Sequence, residues 1–195
     1  MPKGRKRFYM KSIAQTIISW WEKFFAWKEN IHHIDGSKYR LLRFNIHPYN
    51  CKETLELPDG NQIKPGDYVA ELHISNLVIS KDQIGDITIT SELQLLPMFR
   101  EEMKLLGHLA SQGKIDPRVK AIWGITLFSP GVRRLGFSIK PLDNNFKAWR
   151  LKTWMGFLGW VFSVPVYHPH GKSKTKRNPC EFFMSMDELI KKYGY

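Results

Sequence analysis

Glu71 and His73 stand two residues apart in the run YVAELHI, Tyr68 to Ile74. On an extended chain that spacing puts both side chains on one face. A carboxylate beside an imidazole is the smallest set that can orient a general base. The same pair also occurs as a structural His–Glu contact on a solvated sheet face, and the residues leave both readings open. Asn76 closes the run with an amide that both donates and accepts. Glu71 and His73 are therefore the catalytic candidates, and His73 and Asn76 candidate ligand-binding residues.

Two further clusters carry charge suited to anions. Arg133 and Arg134 follow Ser129-Pro130, where Ser129 suits an N-cap and Pro130 the first helical position. Amides at a helix start together with arginines hold anions, although a surface turn with ordinary charges gives the same pattern. His168 and His170 introduce the basic loop HPHGKSKTKRNP, which suits nucleic-acid backbone, anionic lipid or anionic polymer equally. His168 joins Arg133 and Arg134 among the candidate ligand contacts. The adjacent His32 and His33 cannot both face one metal from a regular strand, and a solvated loop is expected there. No Gly-rich phosphate loop, GxSxG, HExxH or Cys/His metal spacing occurs, so no metal and no cofactor is expected.

Composition limits the classes. The 195 residues fit one domain with an appendage, and 43% hydrophobic with 13% aromatic content suffices for a core. A formal charge of +12 favours anionic partners. Cys51 and Cys180 are distant and form no CxxC, which fits a reduced compartment.

The elements that must position these residues follow from periodicity. Tyr9 to Lys28 has a helical stripe of Met10, Ile13, Ile17, Trp20, Phe24 and Trp27, widened by Ile18, Trp21 and Phe25. Its far side is too polar for a membrane span, and it lacks the apolar core and cleavage site of a secretory signal. Behind the basic arm Lys3, Arg5, Lys6 and Arg7, the tryptophans Trp20, Trp21 and Trp27 suit a membrane interface or polyanion contact. An ordinary helix packed on its own sheet or on a partner subunit has the same stripe. Tyr39 to Pro48 is a predicted strand with Leu42, Phe44 and Ile46 on one face and Arg43, Asn45 and His47 on the other. From Thr54 to Asn76, the turns at Pro58–Asn61 and Lys64–Asp67 predict two or three short antiparallel strands. Val119 to Phe128 is apolar on both parities, as a covered central strand requires. Phe137 to Pro141 returns as a strand. Helices are expected near 9–28, 92–112, 145–160 and 186–193, the last behind the capping box Ser185 to Glu188. The expected fold is α+β: a mixed, largely antiparallel sheet flanked by helices, with an N-terminal amphipathic helix. The expected division is a basic arm and helix at 1–30 and a domain at 31–195.

Three stretches resemble the YkoP-like family of bacterial proteins: TLELPDGNQIKPGDYVAELHISN (54–76), KAIWGITLFSPGVRRLGFSIKPL (120–142), and His168-Pro169 with FFMSMDELIKKYG (182–194). The resemblance runs from about Ile34 onward. The family occurs as stand-alone proteins and as a domain attached to polysaccharide deacetylases, which implies a cell-envelope setting and an accessory role. It implies no reaction. The expectation is a non-catalytic, envelope-associated module that binds an anionic or saccharide ligand. The alternatives are a transferase-type enzyme using Glu71 and His73, and a nucleic-acid-binding protein. The expected partners are an anionic membrane surface or anionic polymer and a polysaccharide-modifying enzyme, with nucleic acid the weaker candidate. The expected location is the cytoplasm, peripheral on the inner face of the membrane.

Overall fold

The computed structural model describes residues 23–75, 92–126, 129–142 and 179–195, together with 16, 20, 21, 83, 84, 87, 88 and 153. It is an α+β fold on a mixed, largely antiparallel sheet. The strands are β1 (His32–His33), β2 (Leu42–Pro48), β3 (Leu55–Glu56), β4 (Gln62–Ile63), β5 (Tyr68–Ile74), β6 (Gln83–Ile84), β7 (Ile87–Thr88), β8 (Val119–Thr126), β9 (Ser138–Pro141) and β10 (Cys180–Ser185). The helices are α1 (Glu92–Ser111), α2 (Ser129–Arg134) and α3 (Met186–Tyr193). Six strands form the main sheet in the order β1-β2-β5-β8-β10-β9, while β3-β4 and β6-β7 are separate pairs.

All pairings in the main sheet are antiparallel except β5 with β8. Parallel neighbours cannot be joined by a tight turn, and α1 lies in the connection between them. Its apolar face, Leu95, Phe99, Met103 and Leu106, is buried as the 3.6-residue period requires. It packs with α3 over Leu42, Ala70, Leu72, Ile122, Phe182 and Met184. The two helices meet at Gly107, where an added Cβ would fall 2.7 Å from the Tyr193 backbone.

The opposite face carries a smaller core of Tyr49, Val69, Ala121, Trp123 and Phe183, roofed by Leu55, Leu57 and Ile63 of the β3-β4 hairpin. Each strand thus divides its side chains between two environments. In β5, Ala70 and Leu72 face the helices, and Val69, Glu71 and His73 face the other way, as alternation predicts. In β8, Ile122 faces the helices and Ala121 and Trp123 the hairpin, so the strand is covered on both faces as expected.

Two expectations are corrected, and one strand was not foreseen. The turn at Pro58–Asn61 does close a hairpin, with Leu55 opposite Ile63. The turn at Lys64–Asp67 does not close a second one. It returns the chain from the hairpin to the main sheet, held by Gly66 N–H to Tyr49 O at 2.9 Å and Tyr49 N–H to Asp67 O at 2.7 Å. The pattern of local turns carried no signal for that long-range exchange. His32 and His33 are an edge strand opposite Phe44 and Arg43, not a loop. Finally, β10 is a strand that pairs both β8 and β9, in a stretch between the basic loop and the last helix for which the sequence predicted no element. All six of its residues are buried, so it lacks the alternation by which a strand is recognised.

The last helix starts as its capping box predicts. Ser185 Oγ accepts from Glu188 N–H at 2.9 Å and donates to the Asp59 carboxylate. This joins the hairpin turn to the end of β10. At the other end of the chain, residues 23–28 are helical and close in a Schellman motif. Ile31 N–H reaches Ala26 O at 2.8 Å and Asn30 N–H reaches Trp27 O at 3.3 Å, with Asn30 left-handed at φ 53°. The expected helix at 145–160 lies outside the described residues, apart from a helical Thr153.

Candidate functional site

The register of β2 against β5 places Asn45 opposite Glu71 and Arg43 opposite His73. Both strands present these residues on the face away from the helices. On the outer strand β1, His33 is opposite Arg43, and on the inner strand β8, Trp123 is opposite Glu71. One sheet face therefore collects His33, Arg43, Asn45, His47, Glu71 and His73 beside the indole of Trp123.

Glu71 and His73 do share a face, as their spacing requires, but the carboxylate's direct partner is another histidine. Glu71 Oε2 lies 3.0 Å from His47 Nε2 and 3.8 Å from His73 Nε2. His73 Nε2 instead bonds Asn45 Oδ1 at 3.1 Å. His47 Nδ1 is 2.8 Å from Pro48 O, so the ring is held from both sides and both nitrogens face acceptors. The His47 ring meets the edge of Trp123 at a centroid distance of 6.2 Å. About a quarter of each of the His47, Glu71 and His73 side chains remains exposed.

The two imidazoles are pushed apart in basicity. The hydrogen bond to Glu71 raises the pKa of His47 above its ordinary value, against the opposing effect of burial. Burial lowers that of His73, and the charges of Arg43 and His47 add to the effect while Glu71 opposes it. His33 is also lowered, first by burial and then by Arg40 and Arg43. The site thus combines a histidine inclined to carry charge with a neighbour inclined to be neutral. With Asn45 Oδ1 as acceptor, His73 holds its proton on Nε2 and leaves Nδ1 as an acceptor. The indole N–H of Trp123 is buried without a hydrogen-bond partner among the described residues. Such an arrangement can donate to an anion or hydroxyl group, and it can move a proton.

The sequence reading singled out Glu71 and His73 but not His47 or Asn45, although it placed both on the polar parity of their strand. Pairing of β2 with β5 was the missing step, since cross-strand neighbours cannot be read from either strand alone. It also missed the farther end of the same face. There Cys51 Sγ approaches the buried carboxylate of Glu181 at 4.0 Å, and burial, with the contact from Cys51, raises the pKa of the Tyr49 hydroxyl. Arg133 and Arg134 are not brought to this face. They are exposed on α2, whose Val132 packs into the core under α1 and α3. Asn76, His168 and the arm residues Lys3, Arg5, Lys6 and Arg7 lie outside the described residues. Trp20, Trp21 and Trp27 are exposed. Among the described residues, no three His, Cys, Asp or Glu side chains are grouped to hold a metal ion, and no helix is long and apolar enough to cross a membrane.

The fold and its polar face define an α+β domain whose sheet is helix-covered on one side and carries a histidine–carboxylate cluster on the other. The chain belongs to the YkoP family: the family model for the YkoP domain matches residues 11–193. It is similar to the uncharacterized protein YkoP of Bacillus subtilis (strain 168), 24% identical over 165 residues, covering 82% of this chain and 85% of that protein. No solved structure matches it.

Proposed function

We propose that the protein is a binding module whose open sheet face takes an anionic or saccharide ligand through His47, Glu71, His73 and Asn45. The observation that carries this reading is the Glu71 carboxylate placed between two imidazoles, 3.0 and 3.8 Å away, with a quarter of each side chain still exposed. A cluster built only for stability gains little from three partly solvated titratable groups. Such a cluster does suit a ligand with several hydroxyl or anionic oxygens, each needing a donor or acceptor at a fixed position. The formal charge of +12 favours the anionic forms. In this reading the protein works at the cell envelope, on the cytoplasmic side of the membrane, beside a polysaccharide-modifying enzyme such as a deacetylase.

Titration calorimetry of the full chain tests it, with N-acetylglucosamine oligomers, a glycerol-phosphate polymer and inorganic phosphate as separate probes. At least one probe should bind, and Glu71→Gln and Asn45→Ala should each weaken it by about tenfold, the size of one lost charge-assisted bond. Binding unaffected by both substitutions would place the ligand elsewhere.

A second reading has its own support. The split in basicity between His47 and His73 is the pattern of an acid–base pair, in which His47 supplies a proton through the Glu71 carboxylate it bonds and His73 Nδ1 accepts one. Turnover of a bound probe, lost in both His47→Gln and His73→Gln, would replace the binding-module reading with this one.

A further inference from the structure

The aromatic residues between 20 and 27 belong to neither core. Trp20 and Trp27 are 75% and 78% exposed, Trp21 and Phe24 53% and 52%, and Phe25 40%. Steps of four and three from Trp20 through Phe24 to Trp27 keep these rings on one line of a helix. Phe24 touches both Trp21 and Trp27, with centroids 6.2 and 6.0 Å away. Together the five side chains expose about 600 Å² of largely apolar surface, at the upper end of what a soluble monomer shows. The Schellman closure at Asn30 fixes where this helix stops, immediately before edge strand β1. The stripe is thus joined to the domain by a defined turn.

Charge identifies what covers it. The sequence ahead of the stripe carries Lys3, Arg5, Lys6 and Arg7 with no acidic residue before Glu22, and Lys11 and Lys23 add to them. Tryptophans and phenylalanines on one side of a helix, with lysines and arginines flanking them in the sequence, suit the headgroup boundary of a bilayer, where rings enter the acyl edge and cations meet lipid phosphates. An apolar protein partner would not need the basic arm.

We propose that this aromatic stripe and the basic arm dock the protein on an anionic phospholipid surface. The proposal deepens the membrane-side placement given above. It is independent of what the sheet face binds, because the two surfaces share no residue.

The test uses the full chain and vesicles of equal parts phosphatidylglycerol and phosphatidylcholine, with pure phosphatidylcholine vesicles alongside. The wild type should co-sediment with the anionic vesicles and not with the neutral ones. Each basic residue brought to the surface should contribute about fivefold in affinity, so replacing Lys3, Arg5, Lys6 and Arg7 by Ser should reduce binding more than a hundredfold. Binding should also fall when salt shortens the Debye length to about 3 Å. Trp20→Ser with Trp27→Ser alters only exposed side chains, so the fold should persist by circular dichroism while binding drops at least tenfold. Binding retained by the tryptophan double variant, or no binding by the wild type, would overturn the proposal. A wild-type dimer that the same variant converts to monomer would also overturn it, since the stripe would then be a subunit interface. Each of these results leaves the sheet-face probes to be decided by their own titration.

Discussion

Glu71 reaches across the β2-β5 pair to His47 at 3.0 Å, while its neighbour along the strand, His73, stands 3.8 Å away and bonds Asn45. The first pH prediction rests on this asymmetry. His47 should titrate above about 6.5 and His73 below it, as followed by the ring resonances in NMR. The reverse order would mean that Glu71 serves His73 instead.

Stability should follow the same asymmetry. A raised folded pKa at His47 means that its bond to Glu71 stabilises fully below about pH 6.5, and that this contribution is lost as pH rises through the folded value. The lowered value of His73 acts oppositely: its contribution is present above about pH 6.5 and is lost as pH falls through the folded value. Glu71→Gln replaces the charged bond to His47 by a neutral one at best, and removes the charge that supports a protonated His73. It should therefore destabilise more at about pH 5.5 than at about pH 8.5, by no more than about 1 kcal/mol given the exposure of both partners. Urea unfolding of both proteins at the two pH values gives the comparison.

Glu102 should be a larger determinant of stability than any titratable residue of the polar face. It is 2% exposed, on the apolar side of α1. Its carboxylate accepts from Leu41 N–H at 3.0 Å, Leu42 N–H at 2.6 Å and the Ser37 hydroxyl. Glu102→Ala leaves two buried amides unsatisfied and should cost about 2–5 kcal/mol, and Glu102→Gln about half as much because one acceptor survives. Equal losses in the two variants, by urea unfolding, would show that the amides are not the cause.

How much of this was legible in sequence depends on the range of each interaction. Alternation within Tyr68 to Ile74 assigned faces correctly because polar and apolar residues divide between them, and the apolar run on both parities of Val119 to Thr126 marked a strand covered on both faces; both signals are local. The capping box at Ser185 was also local. Glu102 lies seven residues after Leu95 and three after Phe99, so its buried position was readable, but not its partners at Leu41 and Leu42. The His47–Glu71 contact, the exit of the Lys64–Asp67 turn and the six buried residues of β10 all depend on which strands pair. No local pattern carries that.

Trp123 should behave as a central-strand residue. It is 9% exposed and packs edge-on against Tyr49 at 6.1 Å. Trp123→Ala should destabilise by about 3–5 kcal/mol in urea unfolding. Near-wild-type stability would remove β8 from the middle of the fold.

Close approach of the helices gives a prediction of a different kind. A Cβ at Gly107 would meet the Tyr193 backbone at 2.7 Å, and no rotamer relieves a clash with backbone. Gly107→Ala should therefore lower stability by about 1–3 kcal/mol, despite alanine's higher helix propensity. A thermal midpoint at or above the wild-type value would show that α1 and α3 pack less tightly.

Ligand mapping by NMR tests the central claim most directly. The full chain, with side-chain imidazole and indole signals assigned, is titrated with the saccharide and glycerol-phosphate probes to saturation. Binding at the sheet face predicts that the largest shifts fall on His47, His73 and the Trp123 indole N–H, with Arg133 and Arg134 unaffected. Saturable shifts confined to α2, or no shift on the β2-β5-β8 face with any probe, would contradict it.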